Sequence, residues 1–281
     1  MNLSEKQFVN VGAKRGIYEI TALLEVIRGK GFVCGGYARY CLSPLPTNRV
    51  VYPGDLDIYC YTEEHFNTLK SELRKVGFSQ SDGRRETQFA VLYSYFNSGE
   101  FAETKTYVGS DGREHPFSYY GPDVQLIKPA LEGRVVTVGD PETILENFDF
   151  TVARAAIITP SWTIADKDFE ADEMEQFLRI KNIHCPISSS LRFHKYAKKG
   201  YSSAAFEVYK LFEDWDTRGD EWKAQVKKEI EDIKDLYRKY EEMKASGLAD
   251  RGMQITAKNL DEMKKQIGTA LQAFYERRSI D

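Results

Sequence analysis

Two carboxylates and a pair of glycines lie in one short stretch of this sequence, and their types and order could do chemistry. Residues 32–60 run FVCGGYARYCL, a loop, and then GDLDIYC. Asp55 and Asp57 alternate with Leu56, Ile58 and Cys60, the period of a half-buried strand. That spacing puts both carboxylates on one face, about 7 Å apart along the strand. Two like charges pointing the same way repel unless something positive sits between them, and a divalent metal, or a pair, is the simplest candidate. The apolar residues of the opposite face pin the strand to a core. Gly35-Gly36 follows the apolar run Phe32-Val33-Cys34 and precedes a brief helix, Tyr37–Leu42. Lacking Cβ atoms, the glycines let backbone N–H groups approach an anion, and the helix dipole points the same way. A phosphate-holding turn beside a metal-holding carboxylate pair is what phosphoryl or nucleotidyl transfer requires. A lone GG is usually a tight turn and a lone DxD a solvated strand end. The order strand, GG, helix, loop, DxD strand is what carries the functional reading.

On these residues the segment resembles the opening of the nucleotidyltransferase superfamily that includes DNA polymerase beta, poly(A) polymerases and CCA-adding enzymes. GGYARYCL is similar to the GGxVRDxLL of CCA-adding enzymes, with Arg39 at the arginine position and Tyr40 where those enzymes have aspartate. GDLDIYC fits the hDhDh strand. The resemblance implies that Asp55 and Asp57 hold Mg²⁺ or Mn²⁺ and that Gly35, Gly36 and Arg39 contact the nucleotide. It also implies a third acid on a later strand. In PDVQLIK that acid is expected to be Asp123, although Gln125 stands at the most natural alignment; Asp149 in FDFTVARAA is the alternative, in a segment similar to one in nucleotidyltransferases of phages and large viruses. The bland reading of Asp123 is a turn residue after Gly121-Pro122. LRFHKYAKKGY resembles the LRAxRFxxxxGF stretch that follows the catalytic domain in CCA-adding enzymes, and there Arg192 and Lys195 would reach the triphosphate. Arg192, Lys195 and Lys199 are spaced as one helix face, which is equally a solvated face. Arg84, Arg85 and Arg154 are weaker phosphate candidates.

The elements that must position these residues are legible by period. A helix is predicted around 15–28, another over 63–76 capped by Thr62, and strands at 88–96, 102–108, 115–120 and 123–128. Asp140-Pro141 opens a short helix to about Phe148, and FDFTVARAAIIT with WTIAD suggests a hairpin. Helices take over at about 169, and 219–246 forms a long mixed-charge helix. The expected fold class is α+β: a head at 1–166 with a mixed β-sheet and flanking helices, then an α-helical domain at 167–281.

The 281 residues carry 39 basic and 43 acidic side chains, a net charge of −4, so any nucleic-acid contact must come from a local patch. The four cysteines form no CxxC pair and read as small buried hydrophobes in a reducing compartment. No stretch approaches the roughly 20 apolar residues of a membrane span, and the N-terminus lacks a signal-peptide core. A cytoplasmic protein is expected, in the host cytoplasm if viral. The expected activity is transfer of an NMP from an NTP to a hydroxyl acceptor with release of pyrophosphate. The acceptor is expected to be RNA, a tRNA 3′ end among the options. Nucleotidylation of a protein or small molecule is one alternative, and a non-catalytic nucleotide sensor that kept the fold is another. A helical interaction protein with an incidental GG and DxD is the third.

Overall fold

In the computed structural model of this chain, residues 6–80, 89–95, 105–130, 136–183 and 186–245 are described. They divide into two compact units, Met1–His184 and Cys185–Asp281. The expected head, 1–166, lies within the first.

The alternation at 55–60 becomes a central strand, β3 (Asp55–Cys60), whose residues are half-buried and buried in turn. Its neighbours are β2 (Gly31–Cys34), antiparallel, and β8 (Asp123–Ile127), parallel. Outside them stand β5 (Ala90–Tyr95) and β4 (Phe78–Gln80) on one side, and β9 (Ala155–Thr159), β10 (Trp162–Asp166) and β1 (Phe8–Asn10) on the other. The resulting eight-stranded mixed sheet has the order β1-β10-β9-β2-β3-β8-β5-β4. β9 and β10 form the expected hairpin. β6 (Thr106–Val108) and β7 (Glu114–Pro116) make a separate two-stranded ribbon. Parts of the runs predicted at 88–96 and 102–108 fall outside the described residues.

Helices cover both faces. Leu56 and Ile58 of β3, with Val124 and Leu126 of β8, face a core built from α1 (Thr21–Ile27), α2 (Gly35–Leu42) and α3 (Glu63–Lys75), through Leu23, Ile27, Tyr37, Leu69 and Leu73. The other face packs Phe32, Cys34, Ala156 and Ile158 against Ile144 and Leu145 of α4 (Pro141–Glu146). The predicted caps form: Thr62 Oγ1 accepts from His65 N at 3.1 Å, and Asp140 Oδ1 accepts from Thr143 N at 2.9 Å. The helix expected from residue 15 begins later, because Gly16 is left-handed (φ 69°) and a 3₁₀ turn at Ile17–Ile20 precedes α1.

α5 (Phe169–Glu175) belongs to the first unit. The second unit holds α6 (Pro186–Ala197), α7 (Ala205–Thr217) and the long α8 (Asp220–Ala245). The architecture is α+β, as the interleaved periods imply. No described helix is long and apolar enough to cross a membrane.

Candidate active site

Parallel pairing of β3 with β8 builds the site. The register sets Asp55 beside Asp123 and Asp57 beside Gln125, and aligned residues of neighbouring strands share a face. One face therefore carries three acids and an amide. Asp55, Asp57 and Gln125 are half-buried and Asp123 is exposed. Gln125 Nε2 donates to Asp55 Oδ2 at 2.7 Å. Of the two candidates for a third acid, Asp123 stands on this face. Asp149 is 4% exposed and lies between α4 and β9, off the strands, with its carbonyl accepting from Lys181 N at 2.8 Å.

The glycine pair sits where β2 turns into α2, and the helix begins at Gly35 itself rather than at Tyr37. Cys34, the last strand residue, is extended and lies opposite Asp57 in the β2–β3 register. Gly35 has φ 72°, and a Cβ there would stand 2.9 Å from Asp57 Oδ2. Its left-handed conformation favours glycine, and a Cβ would also have to push the Asp57 carboxylate aside. Gly36 is different: it is exposed, and a Cβ would meet only Pro53 Cβ at 3.7 Å, an ordinary contact. The first backbone N–H groups of a helix have no partner within it, so the start of α2 offers donors next to Asp57. Burial, and then the Asp57 carboxylate, push the Cys34 thiol well above its ordinary range. Burial pushes Cys41 and Cys60 up to about 12. All three are free, buried thiols, in keeping with a core role; Cys185 lies outside the described residues.

The predicted basic contacts divide. Arg39 is 3% exposed, and its Nε donates to Glu173 Oε1 at 2.7 Å, while Ser43 Oγ donates to Glu173 Oε2. A guanidinium closed in this way ties α2 to α5. Arg154 is also buried. It donates to the carbonyls of Phe148 and Glu146 at 2.9 and 3.0 Å and to Asp166 at 3.3 Å. Arg192 and Lys195 lie on α6 of the second unit, half-buried and exposed respectively. Lys199 falls beyond the end of α6, so the predicted three-residue face is not carried on one helix; Gly200 (φ 88°) turns the chain there. Arg84 and Arg85 lie outside the described residues.

Sequence reasoning missed three partnerships: Gln125 with Asp55, Glu173 with Arg39, and Glu19. The Glu19 carboxylate accepts from Tyr37 and Tyr52 hydroxyls at 3.0 and 2.8 Å. Each joins residues far apart in the chain, and no spacing rule reaches them.

Among the described residues, no group of three or more His, Cys, Asp or Glu is placed to hold a metal ion alone. Asp55 and Asp57 offer a pair of oxygen donors on a half-open face. Mg²⁺ commonly takes one or two carboxylates plus substrate phosphates rather than a full protein cage. The donor chemistry fits an ion completed by a nucleotide.

No family model matches the chain, and no curated protein does. Among solved structures it is similar to the Thermotoga maritima CCA-adding enzyme complexed with tRNA. The TM-score is 0.44 at 14% identity, over 74% of this chain and 46% of that one. It is also similar to a CCA-adding enzyme in complex with ATP (TM-score 0.44, 15% identity, 74% and 46%). A third is the Bacillus stearothermophilus CCA-adding enzyme in complex with CTP (0.39, 16%, 69% and 42%). The chain spans a little under half the length of the structures it matches.

Proposed function

We propose that the protein is a metal-dependent nucleotidyltransferase that moves an NMP from an NTP to a hydroxyl acceptor. One observation carries this reading. The β3–β8 register puts Asp55, Asp57 and Asp123 on one face, beside a glycine whose missing Cβ makes room for Asp57. Asp55 and Asp57 would hold Mg²⁺ or Mn²⁺. When bound, such an ion would neutralise phosphate charge and stabilise the attacking and leaving oxygens. The N–H groups at the start of α2, with Gly35 and Gly36, orient the triphosphate. Asp123 accepts the proton of the acceptor hydroxyl, whose oxygen attacks the α-phosphorus. The bond from that phosphorus to the bridging oxygen breaks, and pyrophosphate leaves. RNA is the acceptor we favour, on the acid-free basic run from Arg192 to Lys199.

The test incubates the protein with Mg²⁺ or Mn²⁺, each α-³²P-labelled NTP, and cellular RNA and protein. Label is expected in RNA and is expected to vanish in Asp57→Ala. A folded Asp57→Ala protein that transfers as well as wild type overturns the assignment. Label in a protein band would move the acceptor to protein. A second reading, a nucleotide sensor without turnover, is favoured by Gln125, a neutral amide on the acid face. It expects metal-dependent NTP binding and no label anywhere.

A further inference from the structure

Gln125 is the one side chain among those given above that bonds directly to a carboxylate of the proposed metal pair. It stands opposite Asp57 in the parallel register, yet its amide reaches back to Asp55 Oδ2 at 2.7 Å. An ionised carboxylate only accepts hydrogen bonds, so the amide must present its NH₂ end and the orientation of Gln125 is determined. The bond links the strands that carry the acids. It fixes one oxygen of Asp55 against a group that is itself set in the sheet.

We infer that Gln125 is a positioning residue: its neutral amide aims the Asp55 carboxylate before the ion arrives, without adding a third negative charge to the face. This rests on the reading of Asp55 and Asp57 as a metal pair. A carboxylate free to rotate must be ordered when an ion binds, and one already held by a donor is not. A neutral donor suits the place. An acid at position 125 could not donate to Asp55 when ionised, and would instead add its repulsion to that between Asp55 and Asp57. Partners that hold metal-ligating carboxylates typically change metal affinity by about 10- to 100-fold when lost.

The experiment measures Mn²⁺ binding by the loss of its free paramagnetic resonance signal, with a non-hydrolysable NTP analogue present. Wild type is compared with Gln125→Met, which keeps the length of the side chain and removes the donor. Mn²⁺ binding is expected to weaken by about 10- to 100-fold in the variant, with its melting temperature close to that of wild type. Binding within twofold of wild type overturns the inference. A purely packing role for Gln125 predicts that result, because methionine fills the same space. Wild-type protein that binds no Mn²⁺ with the analogue sinks the metal-pair reading itself, a distinguishable failure. Should the variant not fold, the wild type suffices: the Gln125 side-chain amide resonance is followed by selective ¹⁵N labelling during a Mg²⁺ titration. A resonance displaced from the free-amide position that moves on Mg²⁺ saturation supports the role. One at the free position and indifferent to Mg²⁺ refutes it.

Discussion

Gly35 and Gly36 are the same residue type in adjacent positions, and the structure asks different things of them. At Gly35 a methyl group meets both a left-handed backbone and the Asp57 oxygen 2.9 Å away. We expect Gly35→Ala to cost about 1–2 kcal/mol from backbone conformation alone, and to displace Asp57 as well. Its melting temperature and its Mn²⁺-dependent nucleotide binding should both fall. Gly36→Ala, with 3.7 Å of clearance, should leave the melting temperature near wild type, and an equal loss of melting temperature in the two variants would refute the distinction. The sequence shows a glycine pair between a strand and a helix. It does not say which glycine is sterically required, since that depends on a carboxylate from another strand. Gln125 is similar. Its place in PDVQLIK is legible as a missing acid, but its bond to Asp55 exists only once β8 lies parallel to β3.

At the scale of elements, the long periodic segments are legible and the short ones are not. β3 shows three full alternations, and α3 carries both its cap and its stop in sequence. β1 and β4 are three residues each, too short for a period to emerge, and they exist because β10 and β5 offer them edges. Asp140 is a legible cap with a checkable consequence. The Thr143 backbone N–H holds its carboxyl below the ordinary range. A group whose pKa is depressed by folding stabilises above its unfolded value, about pH 4, and loses that contribution as pH falls through the folded value. Asp140→Ala should therefore cost about 1 kcal/mol at pH 7. The gap between variant and wild type should narrow below pH 4 in denaturant titrations, and a gap that widens in acid would contradict this origin.

Taken whole, the chain changes character near residue 167 because everything after it is helical in pattern. The first compact unit runs to His184 and holds α5 with the sheet. The tie is chemical: Glu173 is wholly buried and accepts from Arg39 and Ser43, and Asp172 pairs with Arg179 at 3.0 Å. Helical periodicity is blind to such a bond, which joins residues 39 and 173. Cutting the chain after Asp166 would remove Glu173 from Arg39, and breaking a buried ion pair by removing one partner costs about 3–5 kcal/mol. A fragment ending at His184 should melt cooperatively, and one ending at Asp166 should not. Equal cooperativity in circular-dichroism melts would show that α5 is dispensable to the head.

The fit of Asp57 against Gly35 also constrains how this sequence can drift. With a carboxylate oxygen 2.9 Å from where a Cβ would begin, a side chain at position 35 must push the Asp57 carboxylate aside as well as adopt a left-handed backbone. A lineage that changes the glycine therefore disturbs the acid in the same step. The two positions should covary among descendants, glycine being kept where the aspartate is kept.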